Sequence, residues 1–300
     1  MNIPTLTSYV DNLMERLSFP DDARTALSTA LVRITNDEVS CGVLSAVLAE
    51  YDTDLSCDYT RMMSDLQTAC EPLNIRPYLA DMLLLLCMAP RLQQRYAERG
   101  IDDAIFYDSL MDLRYKLDEC KLVKGEIGTF AAGWQMLFFR MICFKLGRLQ
   151  YELRTLGADC TVDGVALSKD TPALSIHIPR TGTRMDHPSV LHSYRQAAEF
   201  FADEFADKPL VMFCNSWMLY PWHKEVLPPT ANMMAFYNDF TIVSQNETTD
   251  YSSVWRLFDC TYEGDPDRLP QDSSLRRAYV DRMKAGKPIG GGYGVFIYKK

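Results

Sequence analysis

The chain has 300 residues, of which 47% are hydrophobic and 24% charged, so it can form one or two globular domains and is neither disordered nor fibrous. Its formal net charge of −9 disfavours binding of DNA or another polyanion through the average surface. The nine cysteines are scattered without a C-x-x-C pair, which predicts reduced thiols in a cytoplasmic protein rather than a disulfide framework.

Residues 1–122 carry helical patterns and no strand pattern. Val10, Leu13, Met14 and Leu17 have the spacing of one helix face. Further helices are predicted at residues 26–51 (a pair broken near residue 36), 58–69, 78–90 and 101–117. The apolar segment 78–90 is too short to span a bilayer and contains Asp81, so it predicts a buried helix. We therefore predict an all-helical N-terminal domain over residues 1–122. The first residues also lack the pattern of a signal peptide.

The pattern changes near residue 122, and residues 123–300 are predicted to form a second domain. A helix over residues 130–144 leads into it. Alternating or continuous apolar patterns then predict strands, and longer amphipathic patterns predict helices between them. The predicted strands are residues 146–153, 173–178, 210–214, 241–245, 254–258 and 294–298, and the predicted helices are 189–205, 232–240 and 274–284. This order predicts a mixed sheet with flanking helices, so the whole chain is of the α+β class.

Seven segments of the second domain carry a family resemblance. They are LGRLQYEL (146–153), SIHIPRTG (175–182), SYRQAAEFF (193–201), FCNSWMLYP (213–221), ANMMAFYNDF (231–240), LPQDSSLRRA (269–278) and GGGYGVF (290–296). In this order they resemble the GNAT-like C-terminal domain of a family of bacterial acyltransferase domain-containing proteins, in which a helical N-acyltransferase domain comes first. The resemblance implies an N-acyltransferase that uses acetyl-CoA or another acyl-CoA as co-substrate.

The loop between the predicted strand 173–178 and the following helix is the implied CoA site, because this junction binds the pyrophosphate in GNAT enzymes. Backbone N–H groups at a helix start suit an anion, and Gly182 allows a close approach. Arg180 and Arg184 would contact phosphate, with Thr183 and Ser189 in the same junction. The Q/R-x-x-G-x-G/A signature is not met, because Arg180 and Gly182 are only two residues apart. An ordinary surface loop is therefore the alternative.

The resemblance also implies a general base on a strand near this junction. His177 lies inside the predicted strand, just before the junction, and an imidazole can take a proton from an amine near neutral pH. Glu152, on another strand, is the second candidate for the base or for holding the amine. The alternatives are a structural histidine and an exposed carboxylate. Whether the two side chains share a sheet face depends on the strand register.

The segment after the strand 210–214 supplies further candidates. Ser216 or Tyr220 would protonate the leaving thiolate, and Trp217 would line the acyl pocket, although a tryptophan in the core fits as well. Cys214 with His177 suggests a cysteine hydrolase as an alternative, but no nucleophile elbow is present. The glycines of residues 288–294 predict a turn or bulge, since no Lys-Ser/Thr follows them as in a P-loop.

These features predict an acyl-CoA-dependent N-acyltransferase in which an amine attacks the thioester directly. The acceptor is expected to be a small-molecule amine, with no metal, nucleic acid or membrane involved. The histidine spacings match no metal-site pattern. A non-catalytic GNAT-like binding or scaffold protein and a cysteine-dependent hydrolase are the alternatives. The sequence leaves the acyl chain length and a homo-oligomer open.

Overall fold

The computed structural model describes residues 3–206 and 208–299. The chain folds into two compact units, Met1–Phe144 and Lys145–Lys300. The first unit is built from helices and the second contains most of the sheet, so the predicted α+β class and the order of its two parts are confirmed. The two units are described separately below.

Among its described residues, the helical unit contains seven α-helices, in which long apolar stripes supply the core. Their bounds are α1 (Ile3–Arg16), α2 (Asp21–Asn36), α3 (Glu38–Thr53), α4 (Tyr59–Cys70), α5 (Pro77–Glu98), α6 (Asp103–Lys124) and α7 (Ala132–Phe139). The unit extends beyond the pattern change near residue 122, because α7 packs against α4, α5 and α6. Side chains of Asp37, Asp58 and Asp102 cap the starts of α3, α4 and α6.

Helix α5 is the centre of this unit. It contacts α1, α2, α3, α4, α6 and α7, and its residues 80–89 are all buried. A helix that is apolar on all sides must be covered by protein on all sides, which explains the Leu-rich run. Asp81 is the exception within it, and its carboxylate accepts a hydrogen bond from Gln67 Nε2 at 2.7 Å. The predicted buried helix is thus confirmed.

The second unit, over its described residues, is a six-stranded sheet with helices and a small hairpin. Its strands are β1 (Cys143–Leu146), β2 (Leu149–Thr155), β3 (Cys160–Val162), β4 (Val165–Leu167), β5 (Pro172–His177), β6 (Val211–Ser216), β7 (Thr241–Thr248) and β8 (Ile289–Ile297). Its helices are α8 (His187–Phe200), α9 (His223–Val226), α10 (Asn232–Asn238), α11 (Trp255–Phe258) and α12 (Ser274–Lys284). The sheet order is β1-β2-β5-β6-β8-β7, and β3 pairs with β4 separately.

The register defines two faces of the sheet. Directly paired residues share a face, so Glu152, Ser175, Phe213 and Val295 lie on one side. The β3–β4 hairpin packs on this side through Val162 and Leu167, and we call it the hairpin face. Helix α8 packs on the other side, where Tyr151, Cys214 and Phe296 lie, and we call it the α8 face.

Two segments differ from the sequence-based expectation. Residues 254–258 were predicted as a strand, but they form a 3₁₀ turn followed by α11, because a short apolar run fits a buried helix turn equally well. The β3–β4 hairpin was not predicted. Asp163 and Gly164 at its turn both have positive φ, which is the geometry of a two-residue hairpin loop.

The glycines before residue 294 were expected to form a turn or bulge, but they lie in β8. The chain after β6 crosses β8 at this point. A Cβ at Gly292 would lie 2.1 Å from the Leu219 carbonyl oxygen, and one at Gly290 would lie 2.0 Å from the Asn246 carbonyl oxygen. These glycines therefore serve close backbone approach within a strand.

Candidate active site

The parallel strands β5 and β6 part toward their C-terminal ends. Within the described residues, two residue pairs join them, Leu174 with Met212 and Ser175 with Phe213. Beyond these two pairs, β5 continues to His177 and β6 continues to Ser216, and the described residues show no further pairing between the two strands. Helix α8 follows β5 after a loop and connects it to β6. A gap between parallel strands at their carboxyl ends is the usual ligand position in an open α/β sheet.

His177 and Glu152 meet at this end of the sheet. His177 pairs with Gln150 and Glu152 pairs with Ser175, so both side chains lie on the hairpin face. The distance from His177 Nε2 to Glu152 Oε2 is 3.1 Å. The exposed fractions of the two side chains are 23% for His177 and 10% for Glu152. A carboxylate that holds one ring nitrogen orients the imidazole for proton transfer, so the pair has the geometry of an oriented base.

Arg180 forms an ion pair with a residue outside its loop. Its Nη2 lies 2.7 Å from Asp259 Oδ1, and Arg276 Nη2 lies 2.7 Å from the other oxygen of that carboxylate. Asp259 has a φ of 62° and is held between the two guanidinium groups. A phosphate at Arg180 would therefore compete with a carboxylate that is already paired.

The start of α8 is capped by protein groups. Asp186 accepts a hydrogen bond from the Ser189 backbone N–H at 2.9 Å, and the Ser189 hydroxyl donates to the Asp186 carbonyl at 2.8 Å. The N–H bond holds the pKa of Asp186 below its usual value. Thr183 shares a hydrogen bond with the Thr181 hydroxyl at 2.7 Å, and Arg184 is exposed. Gly182 has a φ of 72°, and no described atom lies within 4 Å of where its Cβ would be.

The candidates after β6 lie on the α8 face. Ser216 accepts a hydrogen bond from the Met218 N–H at 3.2 Å. Trp217 packs its ring edge-on against His223 at 5.9 Å between centroids. Tyr220 donates to Glu247 Oε1 at 2.5 Å and accepts from Arg282 Nη2 at 2.9 Å. Burial raises the pKa of Tyr220 to about 12. Ser216 thus lies on the face of the sheet opposite to that of His177 and Glu152.

Cys214 lies on the α8 face, whereas His177 lies on the hairpin face. The Cys214 side chain is buried, and burial raises the pKa of its thiol to about 12. A nucleophilic cysteine needs an exposed thiol with a lowered pKa and a base in reach. This geometry gives no support to a cysteine hydrolase.

A second ionisable cluster joins α8 to α10 and had no signal in the sequence. His187 Nε2 lies 2.9 Å from Asp239 Oδ1, and the Tyr194 hydroxyl donates to Asp239 Oδ2 at 3.1 Å. Burial raises the pKa of Asp239. His187 and Asp239 are 52 residues apart, so no spacing rule connects them. The cluster fixes the first turn of α8 beside the junction loop.

Comparison with known proteins agrees with this architecture. The family model described as the N-acyltransferase N-terminal domain matches residues 8–141, and the one described as the GNAT-like C-terminal domain matches residues 143–296. The chain therefore belongs to the family that joins these two domains. No curated protein matches the chain significantly.

Several solved structures share the fold over nearly the whole chain. An acyltransferase in complex with decanoyl-CoA is 22% identical, with a TM-score of 0.75. A mutant acyltransferase in complex with octanoyl-CoA is 23% identical, also with a TM-score of 0.75. An acyltransferase in complex with decanoyl-CoA and teicoplanin is 24% identical, with a TM-score of 0.74. Each match covers 96% of this chain and 87% of the other.

The described part of the chain lacks two features that bear on membranes and metals. Among residues 3–206 and 208–299, no helix is long and apolar enough to cross a membrane. The same residues contain no group of three or more histidine, cysteine, aspartate or glutamate side chains placed to hold a metal ion.

Proposed function

We propose that this protein is an acyl-CoA-dependent N-acyltransferase whose reaction takes place where β5 and β6 part. The observation that carries the proposal is the contact between His177 and Glu152. It lies where β5 parts from β6, after the two residue pairs that join these strands over the described residues. Membership of the family and the acyl-CoA complexes of the similar structures support it. His177 keeps its expected role as the base, whereas Glu152, expected as a second candidate base or as the residue that holds the amine, is proposed to orient the His177 imidazole.

The acyl-CoA would enter from the α8 face. The junction offers open backbone at Gly182, the Thr183 hydroxyl and the exposed Arg184 to a diphosphate. Arg180 would join them by releasing or sharing Asp259, and Ser189 would contribute from the first turn of α8. Trp217 would lie along the acyl chain. These groups fit an anion, although the Asp186 cap weakens the attraction at the helix start.

The base would act from the hairpin face. His177, whose Nε2 lies 3.1 Å from Glu152 Oε2, would take the proton from the acceptor amine through its imidazole. The amine nitrogen would then attack the thioester carbonyl, forming an amide and releasing the CoA thiolate. Ser216 and Tyr220 are the candidates for protonating that thiolate. Tyr220 holds its proton in the bond to Glu247 and would have to break that bond to donate the proton to the thiolate.

The acceptor is proposed to be a small-molecule amine, since one similar structure is an acyltransferase in complex with decanoyl-CoA and teicoplanin. The net charge of −9 favours a basic acceptor over a polyanion. A cytoplasmic location and a homo-oligomer stay predictions from the sequence.

The experiment is a thiol-release assay of the full chain with acyl-CoAs from acetyl to decanoyl and a panel of amines. Release that depends on both substrates is expected, with the amide detected by mass spectrometry. Alanine at both His177 and Glu152 should remove it. Intact turnover in that double variant would show that the base is elsewhere.

A non-catalytic binding protein is the second candidate. The ion pair of Arg180 with Asp259 and the capped start of α8 favour it, because both occupy groups that a diphosphate would need. A ligand at a hundred times its dissociation constant stabilises a protein by about 2.7 kcal/mol. A flat thermal-shift response to CoA and to every acyl-CoA would favour this candidate over the transferase.

A further inference from the structure

A cleft opens on the sheet beside the proposed site. Its volume is about 300 Å³. Its walls are the residues that follow β2, the end of β6 and the middle of β7 and β8. The lining residues are Leu156, Gly157, Ala158, Asn215, Ser244, Gln245, Asn246 and Tyr293. None of these described residues is charged. Five of them carry a hydroxyl or a carboxamide, and all of the five except Gln245, which pairs with Gly292, lie on the hairpin face.

The polar lining forms a row across the hairpin face. Asn215 pairs with Tyr293, and Tyr293 pairs with Ser244 on the other side. Behind this row the same face is apolar, because Phe213 and Val295 pack under the hairpin. The face thus changes from apolar core to polar surface at the ends of the strands. His177 and Glu152 lie on the same face, so an acceptor bound in the cleft would be on the side of the base.

A bulge in β7 puts Ser244 into this row. Ile242 pairs with Gly294 on the α8 face, and regular pairing would place Ser244 on that face as well. The register shift between Ile242 and Ser244 instead aligns Ser244 with Tyr293 on the hairpin face. Bulges that re-aim a side chain are frequent next to active sites.

Two internal hydrogen bonds fix the walls of the cleft. Tyr293 donates its hydroxyl proton to the Leu156 carbonyl at 2.5 Å. Asn246 Oδ1 accepts from the Gly291 N–H at 3.1 Å, which orients its carboxamide. The lining is therefore built before any ligand binds, which lowers the entropic cost of binding.

We propose that this cleft is the acceptor subsite and that it selects an amine carrying neutral hydroxyl or amide groups. A lining rich in uncharged donors and acceptors matches such groups and offers no counter-ion to a charged substituent. The inference rests on the proposed transferase function for the role of the amine, but the binding itself can be measured without turnover.

The test measures binding of three amines to the full chain by saturation-transfer NMR titration. Glucosamine carries hydroxyls, glycylglycinamide carries amides, and hexylamine carries neither. We expect glucosamine or glycylglycinamide to bind at least tenfold more tightly than hexylamine, and the tighter one identifies the preferred group. The double variant Asn215→Leu, Ser244→Val should weaken that binding at least tenfold. The milder Ser244→Ala should weaken it about threefold and guards against a folding defect.

Asn238→Leu is the matched control, since Asn238 is exposed on α10 and does not line the cleft. It should bind like the wild type. Equal binding of hexylamine, or unchanged binding in both cleft variants, would overturn the inference. Failure of the proposed function would look different: amines would bind in the cleft, yet no acyl-CoA would release thiol with any of them.

Discussion

The helical unit and the sheet unit differ in where they place their ionisable side chains. In the helical unit, the described ion pairs lie mostly at the surface, both local, as between Arg61 and Asp65 on adjacent turns of α4, and distant, as between Lys121 and Asp22, while α5 supplies a wholly buried centre. In the sheet unit, ionisable side chains meet across long sequence separations, as His177 does with Glu152. The proposed site lies where distant strands bring ionisable groups together, whereas the helical unit is organised around the apolar helix α5.

Removal of the proposed base from the sheet unit should have the largest effect on activity. Glutamine at position 177 keeps an N–H donor toward Glu152 but cannot take up a proton. We expect His177→Gln to lower kcat by about 10²- to 10⁴-fold in the thiol-release assay, the range typical of a general base. Exposed His192 on α8 provides the control, and His192→Gln should leave kcat unchanged. Equal rates for wild type and His177→Gln would refute the assignment.

In the helical unit, Asp81 is a buried acid within the apolar run of helix α5. Burial raises its pKa from 3.8 to about 6. The folded protein therefore holds this proton more tightly than the unfolded chain. The group's contribution to stability is fully present below pH 3.8 and is lost as the pH rises through 6. At 1.36 kcal/mol per pKa unit the loss is about 3 kcal/mol.

The measurement is urea unfolding of Asp81→Asn and wild type between pH 4 and pH 8. Asparagine stays neutral and can still accept the hydrogen bond from Gln67. We expect the variant to gain stability relative to wild type by about 2.4 kcal/mol over this range, since part of the loss has already occurred at pH 4. Asp108→Asn, at an exposed position of α6, should show no such trend. If the difference in unfolding free energy between the variant and wild type did not change with pH, ionisation of Asp81 in the folded protein would cost little free energy.

Much of the fold could be predicted from the sequence, because helix periodicity and strand alternation are local signals. The buried helix around Asp81 and the strand that ends at His177 were both predicted. The pairing of His177 with Glu152 needed the strand register, and the partner of Arg180 is Asp259, far along the chain. Ser244 reaches the hairpin face only through a bulge that no residue pattern announces.

The two units also differ in the surroundings of their glycines. Gly292 in β8 of the sheet unit lies against backbone. A methyl group there would be 2.1 Å from the Leu219 carbonyl oxygen, so the crossing segment after β6 would have to move. We expect Gly292→Ala to destabilise the protein by about 1–3 kcal/mol, the usual cost of overpacking. Chemical denaturation followed by circular dichroism measures it. Unchanged stability would show that the crossing segment adapts freely.

The smallest effect is expected at Gly42 in the helical unit, where the same substitution should have the opposite sign. Gly42 is exposed within α3, its φ is not positive, and no described atom lies within 4 Å of an added Cβ. Alanine in a helix interior is favoured over glycine by about 0.5–1 kcal/mol, because it loses less backbone entropy on folding. Gly42→Ala should therefore raise stability by that amount in the same denaturation experiment. A loss would mean that α3 requires glycine here for a close contact, and helix propensity would no longer account for the position.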